Sequence, residues 1–194
     1  MANFGGHDEL IWLNLSENKL KNCAGLSAMP QLTYLNLNGN QLTSLSALCG
    51  LGSLKKLDIG NNKLEGLSTF PVLPELEVLD ANTNLIEANG DKELAHLHEC
   101  TALTTIIMSG NPWVDEKGDD FKKEVLIALS ELENIKQINE MDEVTPEERK
   151  EAATEKIERE KARLEAEEEA RKAAEEAANN PEGEGGEGSG GEGE

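Results

Sequence analysis

Two sets of side chains recur along this chain at a nearly constant interval, and they are the ones with chemistry to offer. One runs Trp12, Tyr34, Lys56, Val78, Thr105, and the other runs Asn14, Asn36, Asp58, Asp80, Ile107; each set flanks a leucine or isoleucine. Brought into register, they would form two parallel columns on one surface, with aromatics first, carboxylates in the middle and apolar groups at the far end. A third column, Ser16, Asn38, Gly60, Asn82 and Ser109, would run beside them. The chemistry on offer is recognition of a protein partner, a docked helix or loop, with Trp12 and Tyr34 as anchors of the kind that dominate interfaces. The plainer alternative is an ordinary polar sheet face on which Trp12 packs at an exposed edge.

Bond-making chemistry has no comparable foothold. The sequence contains no glycine-rich phosphate loop, no nucleophile elbow and no HExxH pair, and it sets no serine, histidine and acid in a catalytic context. No enzyme, catalytic residue, cofactor or metal is expected. An enzymatic reading would require turnover that disappears with one carboxylate such as Asp58 or Asp80. Cys23, Cys49 and Cys100 are odd in number and widely spaced, so neither a disulfide framework nor a metal site is indicated, and free thiols in a reducing compartment fit. His96 and His98 invite a metal or pH-sensing role. At i, i+2 they cannot share a helical face, so solvent exposure is expected. The cluster Asp115, Glu116, Asp119 and Asp120 lacks the alternate ligands and central glycine of a calcium loop. It reads as the solvated start of a helix, favoured by the helix dipole.

The columns need a scaffold that returns every 22 residues. The pattern LxxLxLxxNxL is spelled by Leu10, Leu13, Leu15, Asn18 and Leu20, again from Leu32 to Leu42, and again from Leu54 to Leu64. A fourth copy runs through Leu76, Leu79, Ala81, Asn84 and Ile86, and a fifth through Leu103, Ile106, Met108 and Asn111, so repeats start near 10, 32, 54, 76 and 103. This spelling resembles a leucine-rich repeat array over roughly residues 7 to 140. The fold expected is α/β, a solenoid with a short parallel sheet on its concave face, neighbouring strands lying about 4.8 Å apart. Past each asparagine the chain returns along the outer side, where Cys23, Leu26, Met29, then Leu45, Leu48, Leu51, then Leu67, Phe70, Leu73 fill the same core.

Asn18, Asn40, Asn62, Asn84 and Asn111 are expected to form a structural ladder rather than a ligand set. A side-chain amide at the bend can satisfy backbone groups that would otherwise be buried unpaired, at about 1 to 3 kcal/mol each. The longer fourth unit contains Leu94, Leu97 and Cys100 at helical spacing, which predicts a helix there. After Asn111 a proline turn precedes Phe121, Val125, Leu126 and Leu129 on one helical side, continued by Leu132, Ile135 and Ile138. Residues 112–140 thus read as a cap closing the last edge of the stack, and residues 1–140 as one repeat domain. Ahead of Leu10 the segment is too short and polar to cap the first coil, so a partner, further repeats or a longer chain is expected to cover that edge.

Thr145, Pro146 and Glu148 make a strong helix start, and residues 145–178 predict one long charged helix reaching about 50 Å. Its large apolar residues are Ile157 and Leu164, seven apart, which leaves at most a narrow coiled-coil seam; pairs such as Glu155 with Arg159 favour a solvent-bridging helix. Residues 179–194, rich in glycine and glutamate, are expected to be disordered. The whole chain of 194 residues carries 39 acidic against 18 basic residues, a formal charge of -21, with 3% aromatics. Such charge repels nucleic acid and anionic membrane alike, and base-stacking platforms are scarce, so protein partners are expected, with no nucleic acid and no membrane.

The 22-residue period resembles the intracellular repeat subfamily that includes a protein-phosphatase regulatory subunit, an outer-arm dynein light chain and acidic nuclear phosphoproteins. More specifically, Asn111, Pro112, Asp115, Glu116, Phe121, Glu124, Leu126, Leu129 and Leu132, with the later Glu147, Glu148, Arg149 and Ala152, resemble the cap and tail-helix start of the radial-spoke leucine-rich repeat-containing protein 23 family. That resemblance implies a structural subunit of the ciliary or flagellar axoneme, in the cytoplasm, that docks neighbouring radial spoke subunits. The alternatives are an acidic nuclear phosphoprotein that binds histones, against which the interleaved basic residues of the tail weigh, and a regulatory subunit of a phosphatase or dynein motor.

Overall fold

A computed structural model of the chain describes residues 7–27, 29–87, 90–140 and 142–179. The chain forms two compact units, one running through Ala153 and the other beginning at Thr154. The first is built on one sheet. Strands β1 (Trp12–Asn14), β2 (Tyr34–Asn36), β3 (Lys56–Asp58), β4 (Val78–Asp80), β5 (Thr105–Ile107) and β6 (Gln137–Ile138) pair in sequence order and in parallel, and β7 (Asp142–Glu143) adds antiparallel to β6.

Each three-residue strand follows from alternation: its middle residue points inward and its flanking residues point out. Leu35, Leu57, Leu79, Ile106 and Ile138 are all fully buried. So are the outer-side residues Cys23, Leu26, Met29, Leu45, Leu48, Leu51, Leu67 and Leu73, while Phe70 is partly buried. The outer segments repeat in detail, since the N–H groups of Leu32, Leu54, Leu76 and Leu103 each donate to the carbonyl three residues earlier. Sequence spacing thus becomes backbone geometry copied from repeat to repeat. In the first repeat Leu10, Leu13, Leu15 and Leu20 are only partly buried, whereas their counterparts Leu32, Leu35, Leu37 and Leu42 are fully so.

The asparagines hold one coil to the next. Asn62 donates from Nδ2 to the carbonyls of Ile59 and Gly60 in its own bend and of Leu37 in the preceding repeat, each at 3.0 Å, and its Oδ1 accepts from Leu42 N–H, also at 3.0 Å. Asn40, Asn84 and Asn111 likewise bridge their own repeat and the preceding one. Asn18 differs from the expected ladder: it is exposed and its amide serves only Leu15 and Ser16 of its own bend. The residue before each of the five asparagines has positive φ: Glu17, Gly39, Asn61, Thr83 and Gly110. At Thr83, β-branched at φ 47°, that conformation carries real strain.

The long fourth repeat holds a helix as its spacing predicts, though a short one: α1 (Gly90–Leu94) runs into a 3₁₀ turn (Ala95–Leu97), and Leu94, Leu97 and Cys100 are buried. The C-terminal cap differs from the expectation in two ways. Pro112 opens a helix at once, α2 (Pro112–Lys117), instead of a turn, because its fixed φ suits a first helical position. Trp113 then fills the slot held earlier by Leu42, Leu64 and Ile86, and meets Phe121 of α3 (Phe121–Ala128) edge-on at 5.0 Å. Beyond α3 the chain makes a sixth parallel strand. Its neighbour Asn139 offers Oδ1 to Met108 N–H at 3.0 Å, where earlier repeats use the next strand's backbone carbonyl.

Helix α4 (Pro146–Asn179) begins on the expected cap: Thr145 N–H donates to Glu148 Oε2 at 2.8 Å and Glu148 N–H to Thr145 Oγ1 at 3.3 Å. Its first turns belong to the repeat unit. Lys122 Nζ reaches Glu148 Oε1 at 2.7 Å, Arg149 donates to the Ile135 carbonyl, and Ala152 is buried. The Lys122 ammonium and then the Thr145 N–H hold the Glu148 carboxyl below its ordinary value. In the second unit α4 carries surface ion pairs, Arg159 to Glu155 at 2.5 Å and Lys172 to Glu168 at 2.7 Å, while Ile157 and Leu164 are exposed. The tail from 180 to 194 lies outside the described residues.

Removing a shared amide should unfold more than removing a solvated one. We expect Asn62→Ala to cost about 3 kcal/mol or more, and Asn18→Ala less than about 1 kcal/mol, because only the former orphans buried groups of two repeats. Urea denaturation of the two variants measures the contrast.

Candidate protein-docking face

The sheet register settles which outward side chains are neighbours. Trp12 pairs with Tyr34, Tyr34 with Lys56, Lys56 with Val78 and Val78 with Thr105; Asn14, Asn36, Asp58, Asp80 and Ile107 align in the same way. Both expected columns therefore exist, on the sheet face opposite the core. Trp12 and Lys56 are exposed, as is Asn14; Tyr34, Asn36, Asp58, Val78, Asp80, Thr105 and Ile107 are half-buried. The first column gains an extra place at its far end, Gln137 of β6, which the repeat spelling did not reveal.

The first column is an aromatic and cationic stack. The Trp12 and Tyr34 rings lie face to face, 5.4 Å between centroids and 7° between planes, and Lys56 Nζ sits 5.7 Å from the Tyr34 centroid. Trp12 is 56% exposed and the neighbouring Ile11 61%, so a large apolar surface faces solvent at this end of the sheet. Stacking holds the rings in place before any partner arrives, which lowers the entropy lost on docking.

The second column does structural work that spacing alone did not disclose. Asn14, Asn36, Asp58 and Asp80 each turn Oδ1 back to accept the N–H two residues on, from Ser16, Asn38, Gly60 and Asn82, at 2.8 to 3.1 Å. These side chains close the strand ends with Asx turns. Asp58 Oδ1 also accepts from Asn38 Nδ2 at 3.1 Å, and Asp80 Oδ1 from Asn82 Nδ2 at 2.7 Å. Gly60 lies tightly between them: a Cβ there would come 2.7 Å from Asn38 Nδ2 and 2.9 Å from Asn82 Oδ1, so a larger residue would have to displace both side-chain amides. Burial first, and the neighbouring Asp58 charge second among the unfavourable causes, push the Asp80 carboxyl above its ordinary value despite its bonds to Asn82.

The fold is a leucine-rich repeat solenoid. A family model described as Leucine Rich repeats (2 copies) matches residues 8–50. Among solved structures, an internalin (inlF) of Listeria monocytogenes is similar with TM-score 0.55 and 24% identity, over 70% of this chain and 36% of that one. A leucine-rich repeat protein of Leptospira interrogans has TM-score 0.49 and 25% identity, over 68% of this chain and 31% of that one. A chain of the SNF/U2A′ complex of Drosophila melanogaster has TM-score 0.47 and 19% identity, over 76% of this chain and 68% of that one. The solenoid thus spans 36% and 31% of the first two. No curated protein matches it. Solenoids of this kind present extended sheet faces to other proteins.

The remaining candidates are scattered over the solenoid. His96 is exposed, and His98 Nε2 lies 3.1 Å from the Ala128 carbonyl of the cap. Asp115, Glu116, Asp119 and Asp120 are exposed around α2 and the turn that follows. Among the described residues no group of three or more His, Cys, Asp or Glu could hold a metal ion, and no helix is long and apolar enough to cross a membrane. Cys23 and Cys100 are buried, which pushes each thiol up to about 11, while Cys49 is exposed.

A carboxyl raised by burial favours the native state only while it is protonated, so Asp80 costs stability once pH rises through its folded value. Asp80→Asn keeps the Asx acceptor and removes the charge. It should raise the melting temperature at pH 7, with the gain shrinking to nothing as pH falls below the carboxylate range; thermal unfolding across pH checks this.

Proposed function

We propose that this chain is a non-enzymatic interaction module, a structural subunit of the radial spokes of the ciliary or flagellar axoneme, docking neighbouring subunits on its sheet face and through its charged helix. The observation that carries the docking part is the solvent-facing Trp12–Tyr34 stack, an ordered aromatic surface at the β1 end of the sheet. Nothing in the core needs those rings outside. What supports the axonemal part is the resemblance of the cap: Asn111 and Pro112 open α2, Phe121, Leu126 and Leu129 are buried beneath the last strand, and Arg149 and Ala152 dock the start of α4 on the cap.

The acidic nuclear reading, a histone-binding phosphoprotein, draws on the net charge of -21. The helix speaks against it, because Arg159 and Lys172 neutralise neighbouring glutamates along its length. Fractionation separates the two: retention in detergent-extracted axonemes supports the spoke role, and enrichment in nuclei overturns it.

In cells with motile cilia, Trp12→Ala combined with Tyr34→Ala should lower incorporation into axonemes severalfold. The same change should cost no more than about 1.5 kcal/mol of stability, since both rings lie outside the core. A truncation after Ala153 tests the helix without touching the cap, because Glu148, Arg149 and Ala152 remain. It should leave the thermal transition of the solenoid in place while reducing incorporation, measured by immunoblot of isolated axonemes.

A further inference from the structure

The middle of the docking face carries a feature that the fold does not use. Asp58 and Asp80 are direct partners across β3 and β4. Adjacent strands lie about 4.8 Å apart, so two carboxylates at that separation repel. Each spends its Oδ1 on the turn that closes its own strand, and no described residue donates to the Oδ2 of either. The nearest cation in the columns, Lys56, makes no ion pair among the described residues; its ammonium lies over the Tyr34 ring. Two anionic oxygens on adjacent rungs are thus left without a direct ion-pair partner, the Lys56 charge acting on Asp80 only through space, on a half-buried surface where an unmatched charge is costly.

The surroundings specify what would fill that seat. On one side stand the Trp12–Tyr34 stack and Ile11, and on the other Val78, Thr105 and Ile107. Three strand spacings, about 14 Å, separate the Trp12 rung from the Asp80 rung, a distance that a helix covers in about nine residues and an extended segment in about four. The long-range field has the same sign as the seat, since the chain carries -21, and such a field speeds the approach of a cation.

We infer that the docking face recognises a basic segment of a partner protein, one lysine or arginine bridging the Oδ2 atoms of Asp58 and Asp80 while an apolar or aromatic neighbour lies on the Trp12–Tyr34 stack. Guanidinium is the better fit, because its planar fork can meet two carboxylate oxygens at once. This inference rests on the docking reading above and adds the chemistry of the partner.

The structure also supplies a variant that leaves the fold alone. Asn14 and Asn36 already occupy the position of Asp58 and Asp80 in the first two strands and make the same Asx turn. The double variant Asp58→Asn, Asp80→Asn therefore keeps both turns and removes only the charge. The probe is a random peptide display library panned on the full-length protein, with the selected peptides measured individually by fluorescence titration against wild type and variants. The expected result is enrichment of lysine or arginine beside an apolar or aromatic residue, and at least tenfold weaker binding to the double asparagine variant and to Trp12→Ala.

Acidic or neutral selected peptides, peptides that bind the double asparagine variant as well as wild type, or no selected peptide at all would overturn the inference. Peptides weakened by Trp12→Ala and untouched by the asparagine variant would leave the docking face standing and remove the basic partner. Peptides insensitive to every change on the sheet would remove both.

Discussion

Backbone groups at the bends between stacked coils must find partners where no water reaches, and from the second repeat onward a single buried amide per repeat meets that demand. Asn40, Asn62, Asn84 and Asn111 each bond to their own bend and to the coil before it. The same contact that terminates one strand fixes its neighbour at one spacing. The leucines give the stack its free energy and the amides give it its register, since apolar packing alone is non-directional. Where the residue ahead of the asparagine is not glycine, at Glu17, Asn61 and Thr83, its positive φ is the local cost of swinging the chain into that bend.

Register then determines the face. Because every strand is aligned residue for residue with the next, side chains 22 residues apart in sequence become neighbours, and a tryptophan in the first repeat can stack on a tyrosine in the second. The far end is closed by a different device. Trp113 replaces an aliphatic residue in its slot and reaches Phe121, β6 continues the sheet, Asn139 Oδ1 stands in for a strand carbonyl, and the Lys122–Glu148 pair fastens the first turn of α4. Closing that edge takes more of the chain than any repeat does.

Much of this was legible in the spelling of the sequence. The period of leucines and asparagines predicted the strands, the inward residues, both outward columns and the amide ladder from Asn40 onward though not at Asn18, because stacked repeats translate sequence interval directly into spatial adjacency. The cap was legible as apolar helix but not as sheet. Ile135 and Ile138 continue the repeat without the third apolar position or the asparagine that mark it, so β6 left no countable signal. The role of Trp113 is hidden in the sequence because an indole in a leucine slot breaks the pattern while filling the same space. The Asx role of Asn14, Asn36, Asp58 and Asp80 was hidden for another reason: the same residue types serve as surface ligands and as turn closers, and only the direction of Oδ1 tells them apart.

That doubling of roles has an evolutionary corollary. Where one side-chain oxygen satisfies the architecture and the remainder of the group faces outward, asparagine and aspartate become synonyms for the scaffold and antonyms for whatever meets it. Single-nucleotide drift between the two letters can rewrite the charge along this strip while the coil beneath keeps its geometry, so a stack of this design can change associates without passing through a misfolded ancestor.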